Sequence, residues 1–92
     1  MPLNFEWDEE KYKKNLKKHR VSFEEAISVF TDKLSITIID SEHSINEERF
    51  IDIGLSNKNR LIVFVYTERE DRIGLISSRL ATNKEIKNYE KE

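Results

Sequence analysis

The chain has 92 residues, of which 16 are Lys or Arg and 18 are Asp or Glu, and its net charge is −2. This length predicts one domain over residues 1–92, and the lack of cysteine excludes a disulfide framework, a thiolate metal site and a cysteine nucleophile. No apolar run approaches the roughly 20 residues of a membrane span, and no signal sequence is visible, so we expect a soluble cytoplasmic protein that does not contact membranes.

The charge is unevenly distributed. Residues 21–56 carry two basic and eight acidic side chains, whereas residues 1–20 carry six basic and four acidic ones. A protein that coats nucleic acid non-specifically is basic overall, so we expect instead a local basic pocket and an acidic surface suited to a basic partner.

The first part of the chain predicts a strand and two helices. The stretch "LNFEW" alternates apolar and polar residues, as a short strand does. Asp8 then caps a helix over about 9–19, in which Trp7 and Tyr12 form a hydrophobic staple. Ser22 and Glu25 have the spacing of a capping box and predict a second helix over about 23–30.

The second part predicts four strands and a helix. The β-rich runs cover 34–40, 49–56, 60–66 and 72–78, and the short gaps between them require antiparallel connections. Thr82 and Glu85 form another capping box that begins a helix ending near residue 90. The predicted fold class is α+β, with the N-terminal helices packed on an antiparallel meander and a C-terminal helix following it.

The last hairpin predicts a pair of arginines. If its turn centres on Arg69 and Glu70, Arg60 lies opposite Arg79, and two like charges in that position favour an anion between them. The alternative is that each arginine pairs with an acid such as Glu48 or Asp52.

Few other residues suggest chemistry. His19, at the end of the first predicted helix, suits proton transfer because histidine titrates near neutral pH, although it equally suits the negative end of the helix dipole. His43 lies in a polar loop, and two isolated histidines without ligand-spaced carboxylates predict no metal site. Motifs for nucleotide cofactors and serine hydrolases are missing from the sequence.

The ordered motifs resemble a known family. The segments "FEWDEEKYKKNLKKHRVSFEEAISVF", "EER", "GLS" and "RLIVFVYTEREDRIGLISSRLATNKEIKNYE" are similar to those of the BrnT toxins of bacterial type II toxin–antitoxin modules. The resemblance implies a RelE-like ribonuclease fold, metal-independent RNA cleavage that inhibits translation, and no cofactor. It also implies a BrnA-type ribbon-helix-helix antitoxin as partner, with DNA bound only through the antitoxin complex.

We assign roles on the chemistry of RNA cleavage and, through the resemblance, on matching positions. Arginine grips phosphate oxygens with two donors and stays protonated. The expected catalytic residues are Arg60, Arg79, His19, Glu48 and Tyr89, and the expected RNA-binding residues are Lys18, Arg49 and Arg72.

This chain departs from the family pattern at three of its positions. Arg20 replaces the usual glycine after the Lys-His pair, Ser78 replaces an alanine, and Gly74 replaces a frequent arginine. A left-handed backbone at Arg20 would cost about 1 kcal/mol relative to glycine.

A different class of function remains open from the residues. The acidic stretch 21–56 would also suit a non-catalytic module that binds a basic protein. Direct DNA binding is disfavoured because the basic residues are scattered and no helix-turn-helix pattern is visible.

Overall fold

The computed structural model describes residues 4–43 and 47–90; Leu3, in the predicted first strand, and the side chain of His43 lie outside the described part. The elements are β1 Asn4–Trp7, α1 Glu9–His19, α2 Phe23–Ser28, β2 Ile36–Ile39, β3 Arg49–Leu55, β4 Leu61–Arg69, β5 Arg72–Leu80 and α3 Asn83–Glu90. A 3-10 turn, Val29–Thr31, extends α2, and another covers Ser41–His43.

The strands form one mixed sheet in the order β1-β5-β4-β3-β2. The four strands β2–β5 are antiparallel in sequence order, as their short connections require. The first strand pairs in parallel with β5, with Phe5 opposite Ile73. The prediction of an α+β domain is confirmed, whereas the position of β1 had no sequence signal.

The ends of α1 follow local sequence rules. Asp8 Oδ1 accepts hydrogen bonds from the amides of Glu10 and Lys11 at 2.9 and 3.2 Å, and the rings of Trp7 and Tyr12 lie 5.6 Å apart. The helix ends at Arg20, whose φ of 57° and ψ of 32° are left-handed. The predicted cap and staple are confirmed, and Arg20 occupies the conformation in which glycine is preferred.

The two other predicted capping boxes differ in outcome. In α3, the Glu85 amide donates to Thr82 Oγ1 and the Thr82 amide donates to Glu85 Oε1, at 3.2 and 2.8 Å. In α2, the Glu25 amide donates to Ser22 Oγ at 3.0 Å, but the Glu25 carboxylate accepts from Ser56 and Arg60 instead. The second half of that predicted box is therefore wrong.

The sheet has two unlike faces because side chains alternate along each strand. On the helix face, Ile62, Phe64 and Tyr66 of β4 join Val21 and Phe23 in the buried core. On the other side, which we call the open face, the residues paired across the central strands are Ile36, Ile38, Ile51, Ile53, Val63 and Arg79. Helix α3 borders the open face through Glu85, Asn88 and Tyr89.

The register of the last hairpin differs from the prediction. Its two-residue turn is Glu70–Asp71, so that Arg69 pairs with Arg72, and Arg79 pairs with Val63 rather than with Arg60. Farther from the turn the register shifts between Val65 and Tyr66, where Ile76 is an extra residue in β5. The predicted pairing of Arg60 with Arg79 is wrong because the turn is one residue later and the strand contains a bulge.

Candidate nucleic-acid interface

Arg60 lies just before β4 and is bound to a buried acid on the helix face. Its Nε donates to Glu25 Oε2 at 2.9 Å, and its Nη2 donates to Glu25 Oε1 and, at 3.4 Å, to the carbonyl of Arg20. The Glu25 side chain is only 1% exposed and that of Arg60 is 36% exposed. The hydrogen bonds from Arg60 lower the pKa of Glu25, so this acid stays ionised and holds the guanidinium in a fixed orientation.

The bond from Arg60 to Arg20 brings β4 to the C-terminal end of α1. Lys18 and Arg20 are exposed there and His19 is half-buried. We call Lys18, His19, Arg20 and Arg60 the basic end. In the basic end, Lys18, His19 and Arg20 come from the end of α1, and Arg60 comes from a position 40 residues after Arg20 in sequence.

Arg79 lies on the open face and is bound to the first turn of α3. Its Nη1 and Nη2 donate to Glu85 Oε1 and Oε2 at 2.7 and 2.9 Å, and Nη1 also donates to the carbonyl of Leu80 at 3.2 Å. The same pairing, together with the Thr82 cap, lowers the pKa of Glu85 to about 2. The arginine therefore helps to fix the start of α3.

Tyr89 fixes the end of the same helix. Its hydroxyl donates to Asp32 Oδ2 at 2.7 Å, which raises the pKa of Tyr89 to about 12. Asp32 also accepts the amide of Leu55 at 2.8 Å on Oδ2 and the amide of Leu34 at 2.9 Å on Oδ1. One carboxylate thus joins α3 to the loop before β2 and to the end of β3.

The two arginines expected to share a phosphate are separated by the sheet. Arg60 reaches α2 on the helix face, and Arg79 reaches α3 on the open face. Both belong to the end of the β4–β5 pair that is farther from its turn, where the Ala81 amide donates to the Leu61 carbonyl. The two arginines therefore lie on opposite faces at one end of the hairpin, and they do not face a common phosphate.

The remaining expected residues lie toward the opposite end of the sheet. Arg49 pairs with Thr67 and Arg72 pairs with Arg69, and Glu48 is the exposed residue just before β3. Thr67 is four residues beyond Val63, the partner of Arg79, which is about 13 Å along a strand. Glu48, Arg49 and Arg72 are thus not brought together with the basic end.

The acids that hold the arginines were only partly visible in the sequence. Glu25 and Glu85 were assigned to helix caps, and the alternative reading named Glu48 and Asp52 as partners. Asp52 is instead 2% exposed and accepts the Tyr66 hydroxyl at 3.1 Å. Asn15 Nδ2 donates to the Ser78 carbonyl, and Asn15 Oδ1 accepts the Ser78 amide. No sequence motif marks this asparagine, so its link to β5 was not predicted.

No group of three or more His, Asp or Glu side chains in residues 4–43 and 47–90 is placed to hold a metal ion. Among the helices of that same part, none is long and apolar enough to cross a membrane.

A solved structure shares this fold. The crystal structure of the Brucella abortus ribonuclease toxin BrnT matches with a TM-score of 0.64 and 22% identity, covering 89% of this chain and 100% of that one. At this identity the likeness shows the fold alone. Curated proteins gave no match.

A match of the amino-acid sequence to a family model identifies the protein family. A family model described as the ribonuclease toxin BrnT of type II toxin–antitoxin systems matches residues 7–85. The chain therefore belongs to the BrnT family, as its ordered motifs had indicated.

Proposed function

We propose that this protein is an endoribonuclease toxin that cleaves RNA without a metal ion and thereby inhibits translation, and that a BrnA-type ribbon-helix-helix antitoxin neutralises it. The observation that carries the proposal is the match of residues 7–85 to a family of ribonuclease toxins. The basic end supports the proposal, because it combines cations with a histidine.

RNA cleavage needs few protein groups because the 2′-hydroxyl is the nucleophile. The enzyme must orient the strand, move a proton and neutralise the charge that develops on the phosphate. In our proposal His19 transfers the proton, while Lys18 and Arg60 bind phosphate oxygens. The Nε and Nη2 groups of Arg60 are used by Glu25 and Arg20, which leaves Nη1 for the substrate.

Arg79 and Tyr89 take a second role in this proposal. They lie across the sheet from Arg60, so we assign them to a nucleotide next to the scissile bond, where Arg79 binds phosphate and Tyr89 orients the strand. Arg49 and Arg72, at the other end of the sheet, are assigned to RNA farther along the strand. Glu48 lies at that end too and has no role in cleavage in this proposal.

The test is an RNA cleavage assay with purified protein in the presence of a chelator. We expect cleavage to survive the chelator, to fall at least about tenfold in His19→Gln, and to fall less in Lys18→Gln. Lys14→Gln is the matched control, because Lys14 is another exposed lysine of α1. A preparation that cleaves no RNA, or a His19→Gln variant as active as Lys14→Gln, would refute this assignment.

One observation favours a different function. Arg60 and Arg79 are both occupied by carboxylates in the structure, as in a domain that uses arginines only to hold its helices. The second candidate is therefore a non-catalytic module that binds a protein partner. Expression alone separates the two, because a ribonuclease toxin arrests growth and loses that effect in His19→Gln, whereas a binding module is harmless in both forms.

A further inference from the structure

The edge strand β2 and Leu34, just before it, leave apolar side chains in solvent. It is the last strand of the sheet and pairs only with β3. Leu34, Ile38 and Ile39 are 69%, 55% and 58% exposed, and they form half of the large apolar side chains that are exposed in the described residues. Soluble proteins usually protect such an edge with charges, proline or a bulge, and Ile36–Ile39 has none of these.

An apolar groove lies beside this edge on the open face. Its volume is about 430 Å³, and its floor is formed by Ile36, Ile38, Ile51, Ile53 and Val63. Helix α3 forms one wall through Glu85, Asn88 and Tyr89. The strand edge offers backbone donors and acceptors, and the groove offers room for the side chains of an added strand, which is how β-augmentation combines affinity with specificity.

The negative charge near the edge of β2 favours a basic partner segment over a second copy of this chain. Between residues 32 and 48 the chain carries five carboxylates (Asp32, Asp40, Glu42, Glu47 and Glu48) and one lysine, Lys33. Asp32 and Glu47 already bind Tyr89 and Arg69, and Glu42 and Glu48 are exposed acids near the end of β2. A second copy of this chain would bring the same acidic surface against itself, which is unfavourable. A segment with lysines or arginines around its apolar residues complements both the charge and the groove.

We propose that the outer edge of β2 and the groove beside it bind an extended, basic segment of a protein partner, which adds a strand to the sheet and places alternate apolar side chains against Ile36 and Ile38. The inference rests on the proposed function, in which that partner is the antitoxin. It assigns the antitoxin to the open face, across the sheet from His19, where Tyr89 forms part of the groove wall. An antitoxin segment there would compete with the nucleotide that we assign to Arg79 and Tyr89.

The test compares one substitution at two exposed apolar sites. Ile38→Lys places a charge on the proposed edge, and Leu16→Lys is the matched control, because Leu16 is 39% exposed on α1. The probe is the purified ribbon-helix-helix protein encoded beside this gene, and the affinity is measured by calorimetry. We expect Ile38→Lys to weaken binding by about tenfold or more and Leu16→Lys to leave it within about twofold.

A second measurement uses the unmodified chain, so that it does not depend on the folding of a variant. Hydrogen exchange of free and bound protein should show new protection of alternate amides within residues 36–39, since every second amide of the edge strand points away from β3 and would bond an added strand. Glu42→Lys should reduce the association rate and its dependence on salt, because it removes an acid beside the edge.

The outcomes separate this inference from the proposed function. Wild-type affinity in Ile38→Lys, equal losses in both variants, unchanged exchange at 36–39, or a wild-type chain that does not bind the probe would each overturn it. So would a homodimer that Ile38→Lys dissociates, because a second copy would then occupy the edge. A chain that binds the probe through β2 but cleaves no RNA would refute the ribonuclease and leave the docking surface in place.

Discussion

Glu25 and Arg60 are 35 residues apart in sequence and form an ion pair that ties α2 to the start of β4. The acid is buried, and the arginine covers it from the solvent side. The pair therefore joins the structural role of Arg60 to its proposed role in binding phosphate, and activity changes in Arg60 variants must be measured on folded protein.

Removal of this arginine should destabilise the fold. We expect Arg60→Ala to lower the free energy of unfolding by about 3 kcal/mol, because it leaves a buried carboxylate without its counter-ion. Arg69→Ala is the control, since Arg69 forms a similar two-donor pair with the exposed Glu47, and its effect should be much smaller because solvent screens an exposed pair. Urea unfolding measures both; equal losses would mean that burial of Glu25 is unimportant.

Glu85 should make stability fall in acid. Its pKa is lowered from 4.5 to about 2, chiefly by Arg79, so the stabilisation is present above the unfolded value and is lost as the pH falls toward 2. We expect Glu85→Gln to lose about 1 kcal/mol at pH 7 and nothing near pH 2. Thermal unfolding across this range checks the difference, with the exposed Glu90→Gln as control; a difference that does not depend on pH would contradict it.

Asp52 should act in the opposite direction. Burial raises its pKa above the usual 3.8 despite hydrogen bonds from Thr37 and Tyr66, so its ionised form destabilises the folded state increasingly as the pH rises. Asp52→Asn retains an acceptor for the Tyr66 hydroxyl. We expect it to raise the free energy of unfolding at pH 8 by about 1 kcal/mol, which is measured as a higher unfolding temperature than that of the wild type. The gain should shrink toward pH 4, and a gain that instead grows in acid would refute the assignment.

Asp32 should matter more for α3 than Tyr89 does. Tyr89→Phe removes one hydrogen bond to a carboxylate, which costs about 1.5 kcal/mol. Asp32→Ala removes that bond and also the acceptors of the Leu34 and Leu55 amides, so we expect about 3 kcal/mol. Both should speed hydrogen exchange in α3, and equal costs in urea unfolding would show that the two backbone bonds contribute nothing.

Arg20 offers a route to higher stability. Its backbone is left-handed, so Arg20→Gly should raise the free energy of unfolding by about 1 kcal/mol. Asn59→Gly is the matched case, because Asn59 has a φ of 60° and asparagine tolerates this region better. A larger gain at Asn59 than at Arg20, measured by urea unfolding, would contradict the steric argument.

Local patterns predicted the elements well. The side chain of Asp8 caps α1, Ser22 caps α2 and the Thr82–Glu85 box begins α3 because each pattern satisfies amides within a single turn. The strand runs were predicted for the same reason, since alternation and turn residues are local. Their ends differ from the prediction by at most three residues, and the largest difference is at the end of β4, which extends farther than its apolar run, as β5 also does.

Relationships between distant residues could not be predicted in this way. The spacing of Ser22 and Glu25 fits a capping box, and nothing near them shows that the carboxylate turns instead to Arg60. The predicted register of β4 and β5 was wrong because the position of the turn and the one extra residue in β5 determine every pairing beyond them. The parallel pairing of β1 with β5 likewise depends on packing that no local pattern encodes.

The bulge at Ile76 determines on which side of the molecule the C-terminal segment runs. Leu75 and Ser78 differ by an odd number of positions, yet both are buried beneath the N-terminal helices, opposite Tyr66 and Phe64. One residue fewer in β5 would invert everything downstream, carrying Arg79 toward Glu25 and Arg60 and detaching α3 from the isoleucine floor. The one extra residue in β5 therefore keeps Arg60 and Arg79 on opposite faces of the sheet, and its deletion would bring both arginines to the same face.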